Sequence, residues 1–147
     1  MVYKRVPKCQ RNTMYKVGIV CGAFDVIHPG YIHLFKDAKS VCKKLIVLLQ
    51  TDPTIDRPEK MKPTQSPEDR QMILKSIRYI DDVIFYTTED DLYNMLKKDF
   101  YDVRILGSDY LNRDYTGKDL NKVIYWHDRS HKYSSTKFKN DIKESIK

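Results

Sequence analysis

Chemistry in this chain gathers in four short strings. The first is Cys21-Gly-Ala-Phe-Asp-Val-Ile-His28-Pro-Gly30-Tyr31, which follows an apolar, β-branched run. Gly22 allows close approach of a ligand to the backbone, and Gly30 stands where a helix begins. Unpaired N–H groups at a helix start hold anions, and His28 beside them can give a phosphate a hydrogen bond or a positive charge. The second string is the cationic segment Arg57-Pro-Glu-Lys60-Met-Lys62, followed by Arg70 on the first turn of the next helix. The third is Gly107-Ser-Asp109-Tyr110, and the fourth runs from His127-Asp-Arg129 to Ser134-Ser135-Thr136-Lys137. Each has a plainer reading: a solvated loop, a surface ion pair, a simple N-cap. Together they describe a pocket for a polyphosphate.

The elements that would position these strings are legible from periodicity. Tyr15–Cys21, Leu45–Leu49, Asp82–Tyr86, Val103–Leu106 and Val123–Trp126 read as buried strands. Helices are predicted from Pro29 to about Ser40, from Ser66-Pro67 through Ile73, Leu74 and Ile77, from Asp90 to about Lys98, and from Ser135 to Ile146. In the last of these Phe138, Ile142 and Ile146 recur at i, i+4 and i+8. Strand and helix thus alternate about five times. The expectation is a Rossmann-like α/β domain: a parallel sheet of about five strands with helices on both faces. Ligands bind such sheets beyond the carboxyl ends of the strands, and all four strings follow strands. Loops 51–65 and 108–120 are long enough to be functional.

Composition sets the outer limits. The chain has 147 residues, 41% of them hydrophobic, which suits one domain with one core. No run of about 20 apolar residues is present, so a membrane span is not expected. Three cysteines, Cys9, Cys21 and Cys42, are too few and too widely spaced for a disulfide framework or a zinc knuckle, and they fit a reduced, cytoplasmic setting. Lys and Arg outnumber Asp and Glu by 27 to 20. Residues 1–13 read as a basic tail ahead of a domain at 14–147, and a nucleic-acid role for that tail is disfavoured because its charges lack interleaved aromatics.

The string Gly22-Ala-Phe-Asp25-Val-Ile-His28-Pro-Gly30-Tyr31 resembles the G-x-F-D-x-x-H-x-G-H signature of the cytidylyltransferase-like nucleotidyltransferases. Pro67 to Val83, Ile105 to Tyr110 and Arg129 to Lys137 resemble later motifs of the same family, in order and spacing. By length and closing motif the resemblance is greatest to glycerol-3-phosphate cytidylyltransferases. It implies transfer of a cytidylyl group from CTP to a phosphorylated alcohol, with release of pyrophosphate. It also implies catalytic roles for His28, Lys62, Arg129 and the residue at position 31. Nucleotide contacts are implied at Gly22, Ala23, Phe24, Gly30, Asp109, Ser134, Ser135 and Thr136, and substrate contacts at Lys60 and Arg70. Either Lys60 or Lys62 would meet the reacting phosphates. Mg²⁺ would arrive with the nucleotide, with no dedicated protein metal site, and a homodimer is implied.

One position departs from the signature: Tyr31 stands where the family has its second histidine. A phenol can donate one hydrogen bond, but with an ordinary pKa of about 10 it does not become a cation. His33, two residues on in a helix, points about 200° away and does not replace it. The readings left open are a transferase that uses Tyr31, a nucleotide-binding relative with weakened or lost catalysis, and a substitution particular to this copy. Other acceptors also stay open: choline, ethanolamine or sugar phosphates, or ATP-dependent adenylyl transfer. Tyr110, Tyr115 and Trp126 read equally well as acceptor-pocket or core residues.

Overall fold

The computed structural model describes residues 14–146. The basic tail expected at 1–13 lies outside them. The chain runs β1 (Tyr15–Gly22), α1 (Pro29–Lys39), β2 (Cys42–Gln50), α2 (Pro67–Lys75), β3 (Asp82–Tyr86), α3 (Glu89–Leu96), β4 (Val103–Gly107), β5 (Ile124–His127) and α4 (Ser135–Ser145). All four strand pairings are parallel, in the order β3-β2-β1-β4-β5. The chain winds outward from β1 in both directions, so the strand order reverses between β1 and β4. A crevice opens at the carboxyl ends there, where open α/β sheets take their ligands.

The sheet divides two apolar layers. On one face Phe35 and Ala38 of α1 and Leu74 of α2 pack against Val20, Leu45, Val47, Leu49, Val103 and Ile105. On the other, Leu92 and Leu96 of α3 pack against Ile19, Ile46 and Leu48. Each such buried aliphatic side chain is worth roughly 1.5–3 kcal/mol. The helix starts are well specified. Ser66 caps α2 through the Asp69 N–H, with Pro67 following. Thr88 and Asp91 form a reciprocal capping box on α3.

Three local expectations are corrected. β2 begins at Cys42 rather than Leu45, because Lys43 and Lys44 extend the pairing to β1 while their side chains stay in solvent. α2 ends at Lys75, so Ile77 lies just beyond it. The 3.6-residue stripe of α4 does not enter the core: Phe138, Ile142 and Ile146 are exposed, and α4 has no buried residue. Its inner edge instead carries polar residues into the crevice.

Candidate active site

A cavity of about 1050 Å³ lies over the carboxyl ends of β1 and β4, roofed by residues of loops 51–65 and 108–120 and flanked by the start of α4. Its wall includes Gly22, Ala23, Phe24, Tyr31, Ser135 and Thr136. The loop leaving β1 is held in an uncommon backbone shape, with φ of 47° at Phe24 and 57° at Val26. Side chains in that region are strained unless their surroundings fix them, as happens at binding sites.

Asp25 supplies much of that fixing. Its buried carboxylate accepts the Thr64 N–H at 2.8 Å and the Gln65 N–H at 3.1 Å, and it pairs with Lys139 of α4 at 2.7 Å. Burial pushes the carboxyl upward, but Lys139 and the two backbone donors outweigh that and hold it below the usual carboxylate range. One acid thus ties the first loop, the lysine loop and the last helix together.

His28 is the N-cap of α1, and its Nδ1 accepts the Gly30 N–H at 3.0 Å. That bond fixes the tautomer: in the neutral ring Nε2 carries the proton. Burial, reinforced by the charge of Arg129, holds His28 below the ordinary imidazole range, so the ring is neutral near pH 7. Nε2 lies 3.3 Å from Ser135 Oγ. The same hydroxyl is hydrogen-bonded to Tyr31 Oη, and the Tyr31 ring stacks on His28 with centroids 4.3 Å apart. Burial raises the Tyr31 pKa, so the phenol keeps its proton. With His28 donating to Ser135, one O–H of the Ser135–Tyr31 pair remains available to a ligand whichever way that bond runs. A neutral histidine behind two hydroxyls therefore presents a donor to the cavity.

Gly30 shows why the string needs glycine there. A Cβ at this position would stand 2.5 Å from Tyr133 Cβ and 2.7 Å from His28 Cε1. The close approach lets the closing loop pack directly on the start of α1. The Gly30 N–H is committed to His28, so this donor is not the free anion contact expected from sequence.

The remaining predicted residues sort by position. Lys60 lines the cavity; Lys62 is exposed and is not part of its wall. Arg70 is not part of the cavity wall. It is 1% exposed, and its guanidinium donates to Ala23 O, Gln50 O, Thr51 O and Gln65 O, bracing the ends of β1 and β2 from beneath. Asp109 faces Arg129 at 3.3 Å, and Arg129 also donates to Tyr133 O at 2.8 Å, so this pair closes the β4 and β5 loops on each other. Neither is part of the cavity wall. Ser134 Oγ accepts the Lys137 N–H, so this serine is the α4 cap, whereas Ser135 and Thr136 line the cavity. Tyr110 and Tyr115 also line it, while Trp126 packs on Tyr115 behind. His33 is exposed and stacks on His131.

Among the wall residues that sequence reading missed are Arg104, Glu89 and Lys139. The signal for Arg104 was present, as a charge inside the apolar run Val103-Arg-Ile-Leu106. Among the described residues no group of three or more His, Cys, Asp or Glu is arranged to hold a metal, and no helix is long and apolar enough to cross a membrane.

The crevice at the strand reversal, walled by the starts of the first and last helices, marks a Rossmann-like α/β domain with its cavity at the carboxyl ends of the strands. Comparison with known proteins sharpens this. A family model described as cytidylyltransferase-like matches residues 19–142, so the chain belongs to that family and is a nucleotidyltransferase. It is 36% identical to an FAD synthase of Pyrococcus horikoshii over 106 residues, covering 72% of this chain and 70% of the relative. It is 32% identical to the bifunctional protein HldE of Caulobacter vibrioides over 118 residues, covering 80% of this chain but only 24% of that longer protein. Among solved structures it resembles the lipopolysaccharide core biosynthesis protein of Thermoplasma volcanium, with a TM-score of 0.62 and 22% identity over 82% of this chain and 99% of the other, which establishes a shared fold.

Proposed function

We propose that this protein transfers a cytidylyl group from CTP to a phosphorylated alcohol, with glycerol 3-phosphate the first candidate, and releases pyrophosphate. The observation that carries the reading is the pairing of Tyr31 and Ser135 in the cavity wall, with His28 directly behind them. A phosphate oxygen of the acceptor attacks the α-phosphorus in line, the bond from that phosphorus to the β-bridging oxygen breaks, and pyrophosphate leaves. The nucleophile is already an anion, so positioning and charge neutralisation do the catalysis and no strong base is required. The hydroxyl donor of the Tyr31–Ser135 pair meets the α-phosphate, with His28 orienting it. Lys60 adds charge from the loop, and Arg129 adds charge from beside His28. Mg²⁺ enters as the nucleotide complex, held by phosphate oxygens and water. A second copy of the chain would find its seam on the exposed apolar edge of α4, and the cytoplasm is the proposed setting.

The similarity to FAD synthase favours one second reading, adenylyl transfer from ATP to a nucleotide-like acceptor such as FMN. The test is pyrophosphate release with Mg-CTP or Mg-ATP against glycerol 3-phosphate, phosphocholine, phosphoethanolamine, a sugar phosphate and FMN. Release with CTP and glycerol 3-phosphate supports the first reading, and release with ATP and FMN supports the second. No release with any pairing overturns both.

A further inference from the structure

The helix that carries Ser135 brings a cation to the same wall. Ser135, Thr136, Lys139 and Asn140 of α4 all line the cavity, as a polar stripe at i, i+1, i+4 and i+5. Residues four apart on a helix share a face, so Lys139 stands one turn along from the hydroxyl that meets Tyr31. Its side chain is 18% exposed, so a ligand can reach it. Among the described residues, the cationic side chains that line the cavity are Arg57, Lys60, Arg104 and Lys139. Arg57 pairs with Glu89 at 3.1 Å, Arg104 donates to Thr116 O, and Lys60 lies in loop 51–65. Only Lys139 shares an element with Ser135. Burial keeps His28 neutral and Tyr31 protonated, so neither brings charge to the wall where the α-phosphate is placed. Lys139 does.

Asp25 sets where that cation points. Lys139 Nζ donates to Asp25 Oδ2 at 2.7 Å, and an ammonium has two further N–H groups. Asp25 is its only partner among the described residues. The carboxylate itself is well supplied with donors. Oδ2 also accepts the Thr64 N–H at 2.8 Å, Oδ1 accepts the Gln65 N–H at 3.1 Å, and Thr64 Oγ1 lies 3.2 Å from both oxygens. The Asp25 side chain is only 7% exposed, so the lysine is the member of the pair that the cavity meets. Lys137, two residues earlier, makes a different kind of pair: it meets Asp141 out in solvent and is not part of the wall.

We infer that Lys139 is a catalytic residue of the nucleotidyl transfer, donating its remaining N–H groups to a non-bridging oxygen of the α-phosphate beside the Tyr31–Ser135 hydroxyl, and that Asp25 is the positioning residue that aims it. This rests on the nucleotidyl-transfer reading and adds a cation at its reacting centre. The acceptor oxygen bonds to the α-phosphorus, the bond to the β-bridging oxygen breaks, and Lys139 keeps its proton throughout. Its charge lowers the repulsion between the two phosphates as they approach, and it holds the α-phosphoryl oxygens as charge shifts across them. Because Lys139 keeps Asp25 while it meets the phosphate, the loop at Thr64 and Gln65 stays pinned during the reaction.

The test compares pyrophosphate release from the nucleoside triphosphate that the full chain turns over and from its two α-phosphorothioate diastereomers, in the wild-type chain, Lys139→Gln and Lys139→Arg. Sulfur in place of the oxygen that Lys139 contacts weakens that contact, so one diastereomer reacts about tenfold or more slowly in the wild-type chain. Lys139→Gln keeps a donor for Asp25 but removes the charge. It lowers kcat by about 10²-fold with a smaller change in KM, and the sulfur penalty for that diastereomer shrinks by about threefold or more. Lys139→Arg keeps the charge and loses about tenfold or less. Thermal unfolding shows which variants are folded. If Lys139→Gln does not fold, the double variant with Asp25→Asn strands no charge and shows the same loss of rate and of sulfur penalty. Wild-type kcat, or an unchanged sulfur penalty, in a folded variant overturns the role of Lys139 and leaves the transfer reading standing. No release by the wild-type chain with any nucleotide and acceptor overturns the transfer reading itself, and this role with it.

Discussion

Tyr31 Oη is hydrogen-bonded to Ser135 Oγ, joining the first helix to the last across 104 positions of sequence. The phenol therefore reaches the same hydroxyl that His28 Nε2 approaches at 3.3 Å. A longer side chain at position 31 has not emptied the site of donors; it has routed one through serine.

Removing the phenol oxygen tests this directly. Tyr31→Phe keeps the ring that stacks on His28 and packs edge-on against Phe24 at 5.3 Å, but deletes the link to Ser135. Ser135 then keeps an O–H for the cavity but loses the phenol that fixes it, so kcat for pyrophosphate release falls by about tenfold, less than the roughly 10²–10³ lost with a positioned transition-state donor outright, with a smaller change in KM. Thermal unfolding shifts little, because the lost hydrogen bond is worth only about 1 kcal/mol. Retention of wild-type kcat would show that the phenol is packing alone.

Arg70 is predicted to act on the fold rather than on substrate. Arg70→Met removes the donor from three carbonyls at the ends of β1 and β2 and from Gln65 O ahead of α2. Unsatisfied buried polar groups cost about 1–3 kcal/mol each and are not additive, so urea unfolding registers a loss of about 3 kcal/mol or more. A variant with wild-type stability and a raised KM would restore the direct-contact role expected from sequence.

The Asp25–Lys139 pair is held at 2.7 Å with the carboxylate almost fully buried. Removing one partner of a buried pair costs about 3–5 kcal/mol because the other charge is stranded. Lys139→Met is therefore more destabilising than the double variant with Asp25→Asn. A double-mutant cycle in urea measures the difference, and an additive result would refute the coupling.

Acid should weaken the fold through His28. Its pKa in the folded protein lies below the ordinary value of about 6.5, first because it is buried and then because Arg129 is near. In the unfolded chain it takes a proton as pH drops through about 6.5; in the folded chain it does so only at lower pH. Between those points the unfolded state holds more protons, so stability falls as pH falls, and above that window the contribution is complete. Protonation also removes the Nδ1 acceptor that caps Gly30. His131, lowered first by burial and then by His127 and His33, adds to the same trend. Unfolding free energies at pH 7.5, 6.5 and 5.5 should decline for the native chain and decline less for His28→Gln.

The fold was legible because its signals are local. Five apolar β-branched runs and four capped amphipathic segments, alternating except between β4 and β5, specify a parallel sheet covered on both faces. The residue types of the site were legible too, since glycine, histidine and serine at strand ends have few other uses together. What a linear reading does not show is which polar groups are spent inside the protein. Arg70 and Lys60 both read as cations near a phosphate, yet one is consumed by four carbonyls and the other lines the cavity. Ser134 and Ser135 are neighbours with opposite fates, one a helix cap and the other a cavity hydroxyl. The stripe Phe138–Ile142–Ile146 has helical spacing but stays exposed, with Phe138 set against the His28 ring at 6.1 Å. In each case the answer depends on contacts between distant segments.

The most direct measurement is mass spectrometry of the products formed by the full chain with Mg²⁺, an equimolar mixture of CTP and ATP, and a polyol phosphate, beside the His28→Ala variant. The account predicts a nucleotide-linked acceptor in equal amount to pyrophosphate, with CTP consumed first and product formation lost in the variant. Absence of any nucleotide-linked product, or equal product from His28→Ala, would contradict it.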